Sequence, residues 1–196
     1  MARLRGTAGA GQVITVTNDD WSSTYAALQL WQRRADGSWA SAGGPWTARI
    51  GRNGFGSPKR EGDGRSPVGS FGFGAGFGVQ GDPGYRFGWR QVDPSDVWVD
   101  DPASRFYNTA QRLPASGRWS SAEAMYQPSP YAYAALITYN VSPVTPYAGS
   151  AIFLHVGTGG ATAGCVSLPA GQLLTALRWL DPGQSPRIVM GPVSAL

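Results

Sequence analysis

The chain has 196 residues, 42% hydrophobic and only 14% charged, which suits one sizeable domain and excludes a disordered or coiled-coil composition. Its net charge of +4 is spread thinly over scattered basic residues, so the stripe or run that nucleic acid requires is missing. Twenty-eight glycines and fifteen prolines demand many turns between short strands, and no segment reaches the length of a membrane span.

The start, Met1-Ala-Arg-Leu-Arg-Gly6, is basic but has no apolar stretch behind it, so it does not read as a signal peptide. Gln12 to Thr17 is a β-branched run and predicts a strand. Tyr25 to Arg34 alternates apolar with polar residues. Ala35-Asp36-Gly37-Ser38 then turns the chain into Trp39, giving a hairpin. Trp46 to Ile50 predicts a separate strand.

Residues 51–84 are dense in glycine and predict irregular structure. Their spacing matches neither a phosphate-cradling loop nor a dinucleotide fingerprint. Residues 85–112 predict short strands and loops, and Ser120 to Tyr126 a helical turn. In that region Asp100 and Asp101 read as loop acids rather than metal ligands, because no second histidine or cysteine accompanies them.

Ala132 to Asn140 and Ala151 to Val156 predict buried strands. Pro169 to Leu180 is the best helix, with Leu173, Leu174, Leu177 and Leu180 at spacings of three and four and Asp181-Pro182-Gly183 as the stop. Arg187 to Met190 predicts a closing strand. With no internal repeat or linker, residues 1–196 read as one mainly β domain, ordered from about residue 12 to about residue 192.

The only histidine and the only cysteine stand ten residues apart, His155 at a predicted strand end and Cys165 after a glycine-rich turn. Strands joined by that turn bring imidazole and thiol together, the pairing that thiol nucleophilic catalysis needs. The competing reading is a small buried thiol beside a structural histidine.

Two blocks decide between them. Ile152-Phe-Leu-His155, followed by Thr162-Ala-Gly164-Cys165-Val-Ser167, resembles the active-site signature of YkuD-type L,D-transpeptidases. Lys59-Arg-Glu-Gly62-Asp63-Gly64-Arg65-Ser66-Pro67-Val-Gly69-Ser-Phe71 resembles the family's Lys-x-x-Gly-Asp-Gly-x-Thr-Pro-x-Gly-x-Phe stretch. Tyr139-Asn140 and Gly149 to His155 are similar to an actinobacterial-type branch. Two departures stand out: Ala163 replaces the histidine found before Gly-Cys in many members, and Ser167 replaces the usual Asn or Arg.

The resemblance implies a YkuD-like β-sandwich or barrel of mixed sheets, with one main helix after the cysteine. It implies attack by Cys165 on an L-centre carbonyl of a peptidoglycan stem peptide, with His155 as base and then acid and a thioester intermediate. An acceptor amine would resolve that thioester to a crosslink; the alternatives are water, which makes the protein an L,D-carboxypeptidase of the cell wall, or a catalytically silent wall-binding module that keeps the fold. Backbone N–H groups of Gly164 and Cys165 are the candidate oxyanion donors, and the carbonyl of Val156 or Gly157 the candidate orienter of the imidazole.

Tyr139, Asn140, Thr162 and Ser167 are the candidate substrate contacts. Lys59, Asp63 and Arg65 either rim the cleft to meet stem-peptide carboxylates or simply form a solvated turn. The implied protein is a monomer of the cell envelope or extracellular space, its export signal already removed. It needs no metal or cofactor and binds no nucleic acid.

Overall fold

The structure, a computed structural model, describes residues 6–196; the basic start over residues 1–5 lies outside them. It is mainly β, with 38% strand and 8% helix.

The chain opens with β1 (Gln12–Asn18), β2 (Tyr25–Arg33) and β3 (Trp39–Arg49). In β1, Val13 packs with Val189 on one face and Ile14 and Val16 join the main core on the other. Burial on both faces explains a near-continuous apolar run rather than an alternating one. In β2, Ala26, Leu28 and Leu30 are buried while Tyr25 and Ala27 face out, the alternation of a half-covered strand.

The strand predicted from Trp46 is the second half of β3, not a separate element. Gly43-Gly44-Pro45 forms an irregularity inside it, where the register against β2 shifts. Gly44 has φ +84°, and a Cβ there would lie 2.6 Å from the Leu28 carbonyl oxygen, so only glycine lets the strand bulge and continue.

The glycine-rich stretch is more ordered than its composition predicts. It contributes β4 (Phe55–Gly56), β5 (Ser66–Pro67), β6 (Gly69–Phe71) and β7 (Phe73–Gly78). Next come β8 (Trp89–Gln91), β9 (Asp96–Val99), β10 (Ala110–Arg112) and β11 (Ala122–Ala124). The predicted helical turn at Ser120–Tyr126 is therefore strand: Ala122 and Ala124 pair with Val99 and Val97 of β9, and that ladder overrides a weak local preference.

The chain closes with β12 (Ala134–Ile137), β13 (Phe153–Val156), β14 (Val166–Leu168), α1 (Ala170–Trp179) and β15 (Arg187–Pro192). Ten strands form one curled mixed sheet in the order β6-β15-β1-β2-β3-β14-β13-β12-β7-β8. A three-stranded sheet, β10-β9-β11, and the β4-β5 pair complete the described fold. Helix α1 turns Leu173, Ala176 and Leu177 into the core, while Leu174 is only half-buried. Trp98 and Trp119 are core residues as well.

Candidate active site

Strands β13 and β14 run parallel, with His155 beside Ser167 and Leu154 beside Val166. Because side chains alternate along a strand, Leu154, Val166 and Leu168 enter the main core while Phe153 and His155 face the other way. Cys165, just ahead of β14, joins Phe153, Phe77, Trp98 and Tyr131 in a second apolar cluster. Period-two geometry on neighbouring strands thus gives His155, Cys165 and Ser167 one shared cavity of about 270 Å³.

The connection between the two strands crosses over instead of forming a hairpin. It docks on the 50–54 turn, where the Arg52 N–H donates to the Thr162 carbonyl and the Thr162 N–H to that of Ile50. Two hydroxyls then fix the cysteine loop. Thr162 Oγ1 donates to the Cys165 carbonyl at 2.7 Å and accepts from the Gly164 N–H at 3.1 Å. Ser66 Oγ donates to the Gly164 carbonyl at 2.7 Å, with the Cys165 carbonyl 3.3 Å away, and accepts from the Gly51 N–H. Gly164 has φ +151°, and a Cβ would lie 2.9 Å from the Arg65 carbonyl oxygen, so no larger residue fits without displacing backbone.

The thiol is 6% exposed. It donates to the Ala151 carbonyl at 3.1 Å and accepts from the Phe153 N–H at 3.4 Å, so its hydrogen points to backbone rather than to the imidazole. Burial, reinforced by the charge of Glu123, pushes it up to about 12; the Phe153 N–H, Lys59 and Tyr131 pull the other way. The resting site therefore holds a protonated thiol.

His155 Nδ1 lies 2.8 Å from the carbonyl oxygen of Val156. A carbonyl only accepts, so Nδ1 carries the hydrogen and Nε2 is left with its lone pair. Burial lowers the imidazole's proton affinity, partly offset by the Val156 and Pro130 carbonyls. Of the two candidate orienters the structure places Val156 on the ring; Gly157 instead uses its N–H to bond the Leu168 carbonyl. The Gly164 N–H, predicted as an oxyanion donor, is already held by Thr162.

Thr162, Ser167 and Lys59 line the cavity. Lys59, the only lysine, is buried with Nζ 2.9 Å from Asp63 Oδ1. Asp63 also accepts from the backbone N–H groups of Arg60 and Arg65, which closes the turn. Burial by itself would raise the Asp63 carboxyl; these donors outweigh it and hold the group below its usual range. The Arg65 side chain is exposed and lies outside the cavity lining, directed to the Phe55 carbonyl.

Tyr139 and Asn140 do not reach the cavity. The Tyr139 hydroxyl donates to the Ala148 carbonyl at 2.6 Å, and the Asn140 amide spans the 145–149 loop by bonding the Thr145 and Gly149 carbonyls. Asp101, read as a loop acid, accepts from the N–H and hydroxyl of Ser120.

Among the cavity-lining residues that escaped the sequence reading are Glu61, Glu123, Tyr131 and Ser150. Glu61 accepts from the hydroxyls of Tyr107 and Ser150. Glu123 accepts from the hydroxyl of Tyr131, whose ring meets the imidazole edge to face with centroids 5.4 Å apart. Glu61 stands inside the Lys-Arg-Glu-Gly block and was open to discovery there; nothing around Glu123 in the sequence marks it.

A family model, the YkuD L,D-transpeptidase catalytic domain, matches residues 36–190. No curated protein matches the chain, and no solved structure does.

Proposed function

The chain belongs to the YkuD family of L,D-transpeptidase catalytic domains, and from that membership we propose a cysteine L,D-transpeptidase acting on peptidoglycan stem peptides. The observation that carries the reading is the shared cavity lined by both Cys165 and His155, whose Nδ1 is held by the Val156 carbonyl. A donor carbonyl entering this cavity displaces the thiol hydrogen from Ala151 towards Nε2. Sulfur then attacks the carbonyl carbon, and the imidazolium returns the proton to the departing D-amino acid.

The product of that half-reaction is a thioester on Cys165. An acceptor amine, deprotonated by the same Nε2, resolves it to a new amide. With the Gly164 N–H committed to Thr162, the Cys165 N–H is the remaining candidate of the predicted pair for the oxyanion. Val156 holds the ring in the required tautomer. Thr162 and Ser66 fix the loop that carries the nucleophile. Ser167 and Lys59 are the remaining substrate contacts from the predicted set.

Action on peptidoglycan places the protein in the cell envelope or outside the cell, as a monomer without metal, cofactor or nucleic-acid partner. No helix among the described residues is long and apolar enough to cross a membrane. The resemblance of residues 139–155 supports the actinobacterial-type branch.

One observation favours a second reading. A thiol pushed up to about 12 and bonded to backbone fits a catalytically silent wall-binding module that retains the fold. Intact-protein mass after incubation with a carbapenem, beside a Cys165→Ala control, separates the two. A single adduct on the parent and none on the variant is expected; no adduct on folded parent selects the silent module.

A further inference from the structure

The wall of the cavity facing Cys165 carries a pair that the reaction above does not use. Tyr131 is 4% exposed and packs edge to face on Phe77, Phe153 and His155. Its hydroxyl donates to Glu123 Oε1, while Tyr131 and Cys165 pack in one cluster and line one cavity, so the thiol is the competing acceptor for the same hydrogen. One hydroxyl hydrogen cannot serve both. Whichever of carboxylate and sulfur is the stronger acceptor takes it.

We propose that Glu123, acting through Tyr131, sets the protonation of the Cys165 thiol, with Tyr131 as the positioning residue that connects them. While Glu123 is ionised it keeps the Tyr131 hydrogen and adds a negative charge beside sulfur, and the thiol stays protonated. When Glu123 takes up a proton, the acid O–H donates to the Tyr131 oxygen, the Tyr131 hydrogen turns to sulfur and the adverse charge disappears. Thiolate is then stabilised by a donor in a water-poor cavity.

Glu123 is suited to this change. Burial holds its carboxyl above the usual range, and the charges of Asp100 and Glu61 push the same way against hydrogen bonds from Tyr131 and Gln127. Other groups facing the thiol are Lys59, which favours thiolate, and the neutral His155 ring beside Tyr131. The inference rests on Cys165 as nucleophile, yet its test reads the thiol alone and does not depend on which substrate is acylated.

The test is alkylation of the single cysteine by iodoacetamide, followed by intact mass across about pH 6 to about pH 9, where thiolate fraction sets the rate. Parent, Glu123→Gln, Tyr131→Phe and the double variant are compared. Glu123→Gln is expected to react about tenfold faster, the effect of one unit in the thiol's proton affinity. Tyr131→Phe, which removes the donor, is expected to react more slowly than the parent, and the gain from Glu123→Gln to shrink in the double variant.

Two near-isosteric changes with opposite signs are not what loosened packing produces. Equal rates in all four proteins, zero included, overturn the proposal. So does a Tyr131→Phe protein faster than the parent, or a full Glu123→Gln gain without Tyr131.

Discussion

Two glutamates line the same cavity, each held by a tyrosine, and they are built for different tasks. Glu61 is held by Tyr107 and Ser150, and the Tyr107 oxygen in turn accepts from the Gly149 N–H, so this pair ties the Lys59 loop to the 149–150 loop. Glu123 is held by Tyr131 and the Gln127 amide, and Tyr131 abuts both imidazole and thiol. The same two residue types make a loop clamp in one place and put a buried carboxyl near the Cys165 thiol in the other. Neighbours, not residue identity, set the role.

The largest expected effects lie on the Glu123 side, among the groups that Tyr131 packs with. Cys165→Ala abolishes covalent capture of a carbapenem. His155→Gln slows it by roughly 10²- to 10⁴-fold, the usual worth of a positioned general base. Rapid-mixing mass spectrometry measures both; capture by the Cys165→Ala protein would mean another nucleophile.

Next in size is loss of the hydroxyl that supports the cysteine loop. Ser66→Ala strands the buried Gly51 N–H and Gly164 carbonyl, costing about 1–3 kcal/mol. A denaturant melt measures this, and an unchanged midpoint would show that the loop holds without Ser66.

The two glutamates are expected to diverge in stability. A carboxyl raised in the folded state keeps its proton at pH values where the unfolded chain has released it. Glu123 therefore costs stability above its unfolded pKa near 4.3, and the penalty grows as pH rises towards its folded value. Glu123→Gln should raise the melting temperature at neutral pH and do little near pH 4. Glu61→Gln should lower it by about 1 kcal/mol in stability, having exchanged a charged acceptor for a neutral one. Shifts of the same sign in both variants would erase the distinction.

The smallest effect belongs to Asn140→Ala. It should loosen the 145–149 loop, cost about 1 kcal/mol, and leave carbapenem capture unchanged. Slower capture would return Asn140 to the substrate-contacting set.

Much of this was legible in the sequence because it depends on short-range pattern. The run that became β1 shows its β-branched composition, those of β2 and α1 show their periodicity, and the two motif blocks mark His155, Cys165 and the Lys59 loop. What escaped was long-range. The halves of β3 looked like two strands because a glycine–proline interruption normally ends one; only pairing with β2 carries the strand through. Ala122 to Ala124 has little intrinsic preference and became strand because β9 offered an edge. Tyr139 and Asn140 sit close to a motif yet point into a loop, and Glu123 joins the cavity through Tyr131, a contact between residues that no motif links.

The parallel pairing of β1 with β15 sets the order of assembly. Strand β15 is flanked by β1 on one side and β6 on the other, so the segment synthesised last separates two synthesised early. That half of the large sheet stays open until β15 has been synthesised. Until then β1 has a bare edge and β6 has no partner in the sheet. Such dependence on contacts distant along the chain predicts slow, all-or-none closure and exposes an aggregation-prone edge during synthesis.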